Sequence, residues 1–377
     1  MRRALALLAC AVLVTACDQG GNESTIEITG TTPPASGDTT TTEPTAPTDP
    51  TSSATDNGGP PEVVETIATG LEAPWGLDFF ANGDAIVTER DTRRVLRVKP
   101  GGEVTELGII ESATPQGEAG VLGVALSPDF ETDRTAYFYV STTSDNRVVR
   151  AGLDGDRLGE PEPILTGIPN GFIHDGGRLE FGPDGYLYVS TGETGTPSLA
   201  QNRDSRAGKI LRITTDGEPA PGNPFDSEVW SWGHRNVQGL AFDGNRLWAS
   251  EFGQDRFDEL NLIKRGDNYG WPEFEGKGGA PQYVDPQLTW STDEASPSGL
   301  AYADGYLWMA ALNGERLWRV EVDGNRARNP KGFFVGDYGR MRTIGVAPDG
   351  RLWLMTSNRD GRGEPTKNDD RILLIEP

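Results

Sequence analysis

One short segment concentrates side chains that could do chemistry. The run SWGHRNVQGL, residues 231–240, places an imidazole, a guanidinium and two carboxamides beside one another in a chain that has only two histidines. An imidazole can take up a proton near neutral pH, and a guanidinium pairs bidentately with carboxylates or phosphates. The polar residues of this run are His234, Arg235, Asn236 and Gln238.

Residues of the same types recur elsewhere. Arg340 and Arg342 stand two apart, so on an extended segment they project to one side. With Arg235 they could hold a ligand that carries several carboxylates or phosphates. His174 precedes a Gly-Gly pair that would let a substrate approach closely, and it is the natural general base. These residues predict an anion-binding site with a base beside it.

A third segment has the composition of a cation site. The run EFGQDRFDELNL, residues 251–262, suits a hard cation bound through carboxylates and backbone carbonyls, and calcium is the usual choice outside the cell. The chain shows no zinc-ligand spacing, no GxSxG nucleophile elbow and no glycine-rich phosphate loop. Hydrolysis by a covalent nucleophile and dinucleotide-dependent redox chemistry therefore lack support.

The elements that must position these residues repeat along the chain. An apolar run, an Asp-Gly or Asn-Gly turn and a second apolar run return six times at roughly 50-residue spacing. The runs alternate apolar with polar residues, and several copies continue into a third run, as in a meander of three or four short antiparallel strands. The sequence therefore predicts an all-β fold, a six-bladed β-propeller with four-stranded antiparallel blades. The copies begin at Trp75, Gly123, Gly177, Gln238, Ser298 and Arg342.

In this fold, the residues before the first strand and after the second strand of each blade lie on one face. Both histidines and four arginines, together with Glu118 and Asn313, occupy such positions in different blades. A polar residue near a propeller mouth often only satisfies backbone carbonyls, and a histidine there is often structural. The convergence of these residue types on one face nevertheless favours a binding site.

The first part of the chain differs in composition from the rest. Residues 1–17 are interpreted as a lipoprotein-type signal peptide that ends at Cys17, residues 18–61 as a disordered Thr/Ser/Pro-rich tether, and residues 62–377 as the propeller. We therefore expect an exported protein, lipid-anchored on the outer side of the cytoplasmic membrane, whose only membrane contact is through Cys17. The other cysteine, Cys10, lies inside the signal, so the mature domain has no disulfide.

The charge of the chain limits its partners. A formal net charge of −23 argues against nucleic acid, because a polyanion would be repelled over the whole surface. We expect a monomer or weak dimer that binds small molecules.

Several runs together resemble a known family. HDGGRLEFGPDGYLYVSTGE, GKILRITTDG, VWSWGHRNVQGLAF, GDNYGWP and GRMRTIGVAPDG follow one another as in the soluble quinoprotein glucose/sorbosone dehydrogenases, which include aldose sugar dehydrogenases. The resemblance covers essentially all of the chain from about Glu62. It implies a six-bladed propeller that uses pyrroloquinoline quinone (PQQ) and calcium to oxidise an aldose to its lactone, with electrons passed to an external acceptor.

The resemblance also implies roles for individual residues. His174 would take the proton from the anomeric hydroxyl of the sugar while hydride passes from C1 to the quinone. Arg235 would stabilise charge that develops on the quinone oxygens. The other residues implied at the quinone are Glu118, Asn236, Gln238, Asn313, Arg340 and Arg342.

Calcium ligands follow from the same resemblance. The backbone carbonyls of Gly253 and Gln254 align with the ligands of a catalytic calcium. Glu259 and the carbonyl of Tyr269 align with a second, structural calcium site.

The sequence departs from the best-known glucose-oxidising members at three of these positions. Neutral Asn313 replaces a lysine, anionic Glu118 replaces a glutamine, and Gln254 replaces a proline of the calcium loop. The loss of one cation and the gain of one anion are expected to weaken the binding of an anionic quinone. The replacement of proline by Gln254 preserves a carbonyl ligand but not the stiffness of the turn.

Two other functional classes stay open. A calcium-dependent lactonase would need several carboxylate and Asn side chains on the propeller axis, and the arginine-rich mouth argues against it. A sugar- or protein-binding propeller that has lost catalysis would explain Asn313 and Glu118. The retention of His174 beside Arg235 and Asn236 argues against that alternative.

Overall fold

The computed structural model describes residues 59–377. The predicted signal peptide with Cys17 and almost all of the predicted tether lie outside the described residues. Within residues 59–377, no helix is long and apolar enough to cross a bilayer.

The described part of the chain is built from short antiparallel strands. Strand β1 (Glu62–Thr69) comes first and is followed by six sheets, here called blades 1 to 6. Blade 1 contains β2 (Pro74–Phe79), β3 (Ala85–Glu89), β4 (Arg94–Val98) and β5 (Val104–Ile109). Blade 2 contains β6 (Val121–Leu126), β7 (Thr135–Ser141), β8 (Asn146–Asp154), the short β9 (Arg157–Leu158) and β10 (Glu162–Ile168). Blade 3 contains β11 (Leu179–Phe181), β12 (Leu187–Ser190), β13 (Lys209–Ile213) and β14 (Val229–Trp232).

The remaining blades follow the same plan. Blade 4 contains β15 (Val237–Asp243), β16 (Arg246–Glu251), β17 (Asp258–Ile263) and β18 (Leu288–Trp290). Blade 5 contains β19 (Pro297–Ala303), β20 (Tyr306–Ala311), β21 (Arg316–Asp323) and β22 (Arg326–Phe333), and blade 6 begins with β23 (Met341–Val346), β24 (Leu352–Thr356) and β25 (Arg371–Glu376). The short helical turns are α1 (Phe130–Asp133), α2 (Ser198–Gln201) and a 3₁₀ turn (Pro224–Asp226).

The blades close into a ring. The first strand of each blade contacts the first strand of the next, and β23 contacts β2. Strand β1 pairs antiparallel with β25, with Glu62 opposite Glu376, so the first strand of the domain completes the last blade. The predicted six-bladed propeller is confirmed. The pairing of the first and last strands of the domain in one sheet closes the ring.

The core consists of six apolar clusters, one in each interface between neighbouring blades. Neighbouring residues of a strand point to opposite faces, so Leu352 packs against blade 5 while Trp353 packs against blade 1. Burial of a Leu-sized side chain contributes about 1.5–3 kcal/mol. The second strands β3, β12 and β24 are buried at every residue, because a blade is covered on both faces. The predicted alternation of apolar with polar residues is therefore wrong for these strands.

The Asp-Gly turns have the conformation that their sequence predicts. Gly350 has φ +85°, in the left-handed region that glycine enters at no steric cost. Its N–H donates to the carbonyl of Ala347 at 2.8 Å and so closes the turn between β23 and β24. Because β24 runs back from this turn, the start of β23 and the end of β24 lie on the same side of the ring.

Candidate active site

A pocket of about 330 Å³ opens on the face where first strands begin and second strands end. Five blades contribute to its wall. Asp258, Thr292, Ser296 and Arg362 also line it, in addition to residues that the sequence predicts for the site. Those predicted residues are Glu118, His174, Arg235, Asn236, Gly253, Gln254, Asn313 and Arg340.

His174 lies on the loop before β11 in a left-handed backbone conformation, with φ +60°. The loop packs closely against the end of β12, where a Cβ atom on Gly192 would come within 1.8 Å of the His174 carbonyl oxygen. Glycine at position 192 is therefore required for this approach. The close packing fixes where the imidazole can lie.

Two carboxylates hold His174. Its backbone N–H donates to Oε2 of Glu118 at 2.8 Å, and its Nδ1 forms a short hydrogen bond with Oε1 of Glu193. The Glu193 side chain is 1 % exposed, whereas that of His174 is 14 % exposed. With Nδ1 engaged, Nε2 is the ring nitrogen left for a ligand in the pocket.

Glu118 pairs with Arg362, a residue outside the predicted site. Nη1 of Arg362, on the segment after β24, lies 2.8 Å from Oε1 of Glu118. Burial by itself would raise the pKa of Glu118, but the hydrogen bond from His174 and the charge of Arg362 outweigh burial and lower it. The anion expected to weaken cofactor binding is thus already paired with a cation of the pocket wall.

Arg235 and Asn236 lie just before β15. The backbone N–H of Arg235 donates to Oε1 of Glu251 at 2.5 Å, and its guanidinium lies 5.5 Å from the ring centre of Trp271. Burial lowers the pKa of Arg235, although the charges of Glu193 and Glu251 oppose the shift. Oδ1 of Asn236 accepts the Gly176 N–H at 3.0 Å, which links this loop to the one that carries His174.

Arg340 and Arg342 meet on one oxygen. Arg340 donates from Nε and Nη2 to Oδ2 of Asp360 at 3.0 and 2.9 Å, and Nη2 of Arg342 donates to the same oxygen at 3.2 Å. Burial and the charges of Arg90 and Arg340 lower the pKa of Arg342 to about 10, although Asp360 opposes the shift. Arg342 therefore stays charged at neutral pH, and the three groups together carry a net positive charge.

Gln238 and Arg342 do not line the main pocket. They line a narrow cavity that shares Glu118 and Arg362 with it. Oε1 of Gln238 accepts hydrogen bonds from Nη1 of Arg342 at 2.9 Å and from Oγ of Ser298 at 3.0 Å. These two predicted residues are buried beside the main pocket and are not part of its wall.

The predicted ligands of the catalytic calcium lie on the loop after β16. Gly253 donates its N–H to Oδ1 of Asp258 at 2.8 Å, and Gln254 donates its N–H to Oε1 of Glu275 at 2.8 Å. Burial raises the pKa of Asp258 to about 6, although its backbone hydrogen bonds oppose the shift. The backbone carbonyls of the loop and the Asp258 carboxylate are oxygen ligands, the type that calcium prefers.

The second predicted calcium site lies behind this loop, outside the pocket lining. Glu259 accepts the Gly276 N–H at Oε1, 2.7 Å away, and the Asn261 side-chain amide at Oε2, 3.0 Å away. Burial and the charge of Glu251 raise the pKa of Glu259 to about 8, and a bound cation would offset both effects. Tyr269 is buried and its hydroxyl donates to the carbonyl of Leu262, so its side chain has a structural role.

His234 is not part of the pocket, although its sequence position places it on the same face. Its side chain is 0 % exposed, Nδ1 lies 2.9 Å from Oε2 of Glu251, and Nε2 lies 2.8 Å from Oγ of Ser231. Its ring stacks on Tyr269 with 4.6 Å between ring centres. The inference that both histidines converge on the site is therefore wrong for His234, because its ring nitrogens are used by Ser231 of blade 3 and Glu251 of blade 4.

The walls of the main pocket and of the narrow cavity beside it retain unused polar groups. Nε of Arg235 and Nε of Arg342 are buried and have no hydrogen-bond partner within residues 59–377. Such donors are costly to bury unless a ligand or water meets them, so the arginines fit an anionic cofactor. Across the same residues, no group of three or more His, Cys, Asp or Glu side chains is arranged to hold a metal ion.

The relationship of the chain to known proteins agrees with this geometry. Residues 71–373 match the sequence profile of the family described as glucose / sorbosone dehydrogenase. The chain belongs to this family. The family resemblance drawn from the sequence runs is therefore confirmed.

Three individual relatives each match more than half of this chain. The structure of the PQQ-bound aldose sugar dehydrogenase from Streptomyces coelicolor is 55 % identical with a TM-score of 0.82, over 84 % of this chain and 97 % of that chain. An aldose sugar dehydrogenase of Escherichia coli is 28 % identical, over 79 % of this chain and 91 % of its own. The quinoprotein glucose dehydrogenase B of Acinetobacter calcoaceticus is 33 % identical, over 56 % of this chain and 52 % of its own.

Proposed function

We propose that this member of the glucose/sorbosone dehydrogenase family oxidises an aldose to its lactone with PQQ and calcium. The observation that carries the proposal is the pair formed by His174 and the buried Glu193, which faces a pocket bordered by Arg235 and Arg340. The 55 % identity to a PQQ-bound aldose sugar dehydrogenase supports it. An arginine-rich pocket favours this reaction over the lactonase alternative, which requires carboxylates on the axis.

His174 is the proposed general base. Since Glu193 engages Nδ1, the proton of the anomeric hydroxyl would pass to Nε2. The buried carboxylate fixes the orientation of the ring and would stabilise the imidazolium that forms. Loss of hydride from C1 and loss of the hydroxyl proton together convert the aldose to its lactone.

The residues that would hold the quinone are those of the arginine-lined wall. Arg340 and Arg342, organised by Asp360, would pair with cofactor carboxylates, and Arg235 with Asn236 would contact its ring. When bound, PQQ supplies the acceptor for the hydride, and calcium supplies a Lewis acid at a quinone oxygen. Gln238 would act through Arg342, and Asn313 and Arg362 would border the open side.

The calcium ligands are proposed to come mainly from the backbone. The carbonyls of Gly253 and Gln254 and the carboxylate of Asp258 would hold the catalytic ion. Glu259 and the carbonyl of Tyr269 would hold a structural ion behind the loop.

Reconstitution tests the proposal. The domain from Glu62 to Pro377 is purified, PQQ and calcium are added, and dye reduction is followed with a panel of aldoses. Sugar-dependent turnover that requires both additions is the expected result. Quinone binding without turnover on any aldose would favour the sugar-binding alternative, and failure to bind the quinone would rule out the proposal.

The location of the protein is also proposed from its sequence. Lipidation at Cys17 would hold the enzyme on the outer side of the cytoplasmic membrane, where it would pass electrons to an external acceptor. Substitution of Cys17 by Ala should move the protein from the membrane fraction to the soluble fraction.

A further inference from the structure

The loop that carries the predicted calcium carbonyls wraps around one carboxylate oxygen. The backbone N–H groups of four successive residues, 254–257, all donate to Oε1 of Glu275, at 2.8, 3.2, 3.1 and 3.1 Å. A Cβ atom on Gly253 would come within 2.0 Å of the Phe257 carbonyl oxygen and 2.7 Å of Glu275 Oε1. The loop is therefore closed tightly around this carboxylate.

The direction of the N–H groups fixes the direction of the carbonyls. In a trans peptide the N–H and the preceding C=O point in opposite directions. The N–H groups of Gln254 and Asp255 point at Glu275, so the carbonyls of Gly253 and Gln254 point away from it. Both residues line the pocket.

The peptide before these four N–H groups, between Phe252 and Gly253, is also oriented by a carboxylate. Its N–H donates to Asp258, and the carbonyl of Phe252 in that peptide accepts a hydrogen bond from Nη1 of Arg235 at 3.3 Å. This peptide shows the expected arrangement, with a carboxylate on the N–H side and a cationic pocket residue on the carbonyl side.

We infer that Glu275 is a positioning residue that directs the carbonyls of Gly253 and Gln254 into the pocket and so preorganises them for calcium. The inference rests on the proposed function, since it takes calcium as the ligand of these carbonyls. Aligned carbonyl dipoles repel one another, and the carboxylate offsets that cost through the N–H ends of the same peptides. Glu275 thus supplies by hydrogen bonding the stiffness that Gln254, unlike a proline, does not give to the turn.

The role is tested with Glu275→Gln, Glu275→Ala and the control Glu273→Gln, whose side chain is exposed and two residues away. PQQ is held at fixed concentration, calcium is titrated, and quinone binding is followed by its absorbance. The calcium concentration for half-maximal binding should rise about 10- to 100-fold in Glu275→Ala and less in Glu275→Gln, as for other residues that orient metal ligands. The control should match the unsubstituted protein.

One further measurement and two outcomes of the calcium titration separate the possible failures. Hydrogen exchange of the amides of residues 254–257, measured without cofactor, should quicken by about 10-fold or more in Glu275→Ala, because their acceptor is lost. An unchanged calcium requirement in both Glu275 variants would overturn the positioning role and leave the proposed function intact. If the unsubstituted protein does not bind PQQ at any calcium concentration, the proposed function fails and the calcium role of Glu275 fails with it.

Discussion

The two histidines of this protein have the same partner type but different surroundings. Each bonds through Nδ1 to a glutamate at or just beyond the end of a second strand, His174 to Glu193 in blade 3 and His234 to Glu251 in blade 4. In His234 the other nitrogen is used by Ser231, and the ring is wholly buried. In His174 the other nitrogen, Nε2, faces the pocket. A histidine–carboxylate pair is thus a structural unit in one blade and a candidate proton acceptor in the next.

The largest effect is expected from His174→Gln. The substitution removes the proposed proton acceptor but keeps a side chain of similar size, so turnover should fall by about 10²- to 10⁴-fold. PQQ binding and the melting temperature should change little, because the ring is not part of the core. Near-normal sugar-dependent dye reduction in this variant would show that His174, like His234, is not the proton acceptor.

Glu193→Gln should give the next largest effect. A neutral amide can still meet Nδ1, but it does not stabilise an imidazolium, so kcat should fall by about 10- to 100-fold. Combined with His174→Gln, the substitution should cause little further loss, since both act through the same proton transfer. Fully multiplicative losses in the double variant would show that Glu193 acts independently of His174.

His234→Phe should affect stability rather than turnover. Phenylalanine keeps an aromatic ring beside Tyr269, but it removes one buried hydrogen bond from Ser231 and one from Oε2 of Glu251. The free energy of unfolding should fall by about 1–3 kcal/mol in chemical denaturation, while kcat per folded molecule stays close to that of the unsubstituted protein. Loss of turnover without loss of stability would contradict a purely structural role.

Glu118→Gln should give the smallest effect, and one that depends on pH. Because the folded protein lowers the pKa of Glu118 below its ordinary 4.5, the carboxylate stabilises the fold fully above that value. Its contribution is lost as the pH falls through the lower folded-state pKa. The variant should be less stable by about 1 kcal/mol at pH 7, and the difference in melting temperature should shrink below about pH 4. A difference that grows on acidification would contradict the pairing of Glu118 with Arg362 and His174.

Local patterns were sufficient to predict the fold. The six repeats end their first strands at turns such as the one closed by Gly350, and turn and strand signals act over a few residues. The closure of the ring was not predicted. Strand β1 pairs with β25, and the paired residues Glu62 and Glu376 are more than 300 positions apart in the sequence. Nothing within β1 identifies its partner.

The sequence predicted which residues belong to the candidate site better than it predicted their contacts. The face that carries His174, Arg235 and Arg340 follows from their places in the repeat. Asp360, which both Arg340 and Arg342 contact, lies in the segment SNRDGR, residues 357–362, directly after the second strand of blade 6. The same holds for Arg362, while Glu193 lies at the corresponding place in blade 3. Their position could be read from the repeat, but their partners come from other loops or blades.

The sequence by itself determined the strands, the turns, the number of blades and the face on which the polar residues gather, because each depends on periodicity and on residues close in the chain. Only the tertiary structure decided which histidine opens to the pocket and which is buried, and that Glu275 accepts the N–H groups of residues 254–257. A side chain's burial and hydrogen-bond partners depend on segments brought together by the ring, and no local pattern encodes which segments those are.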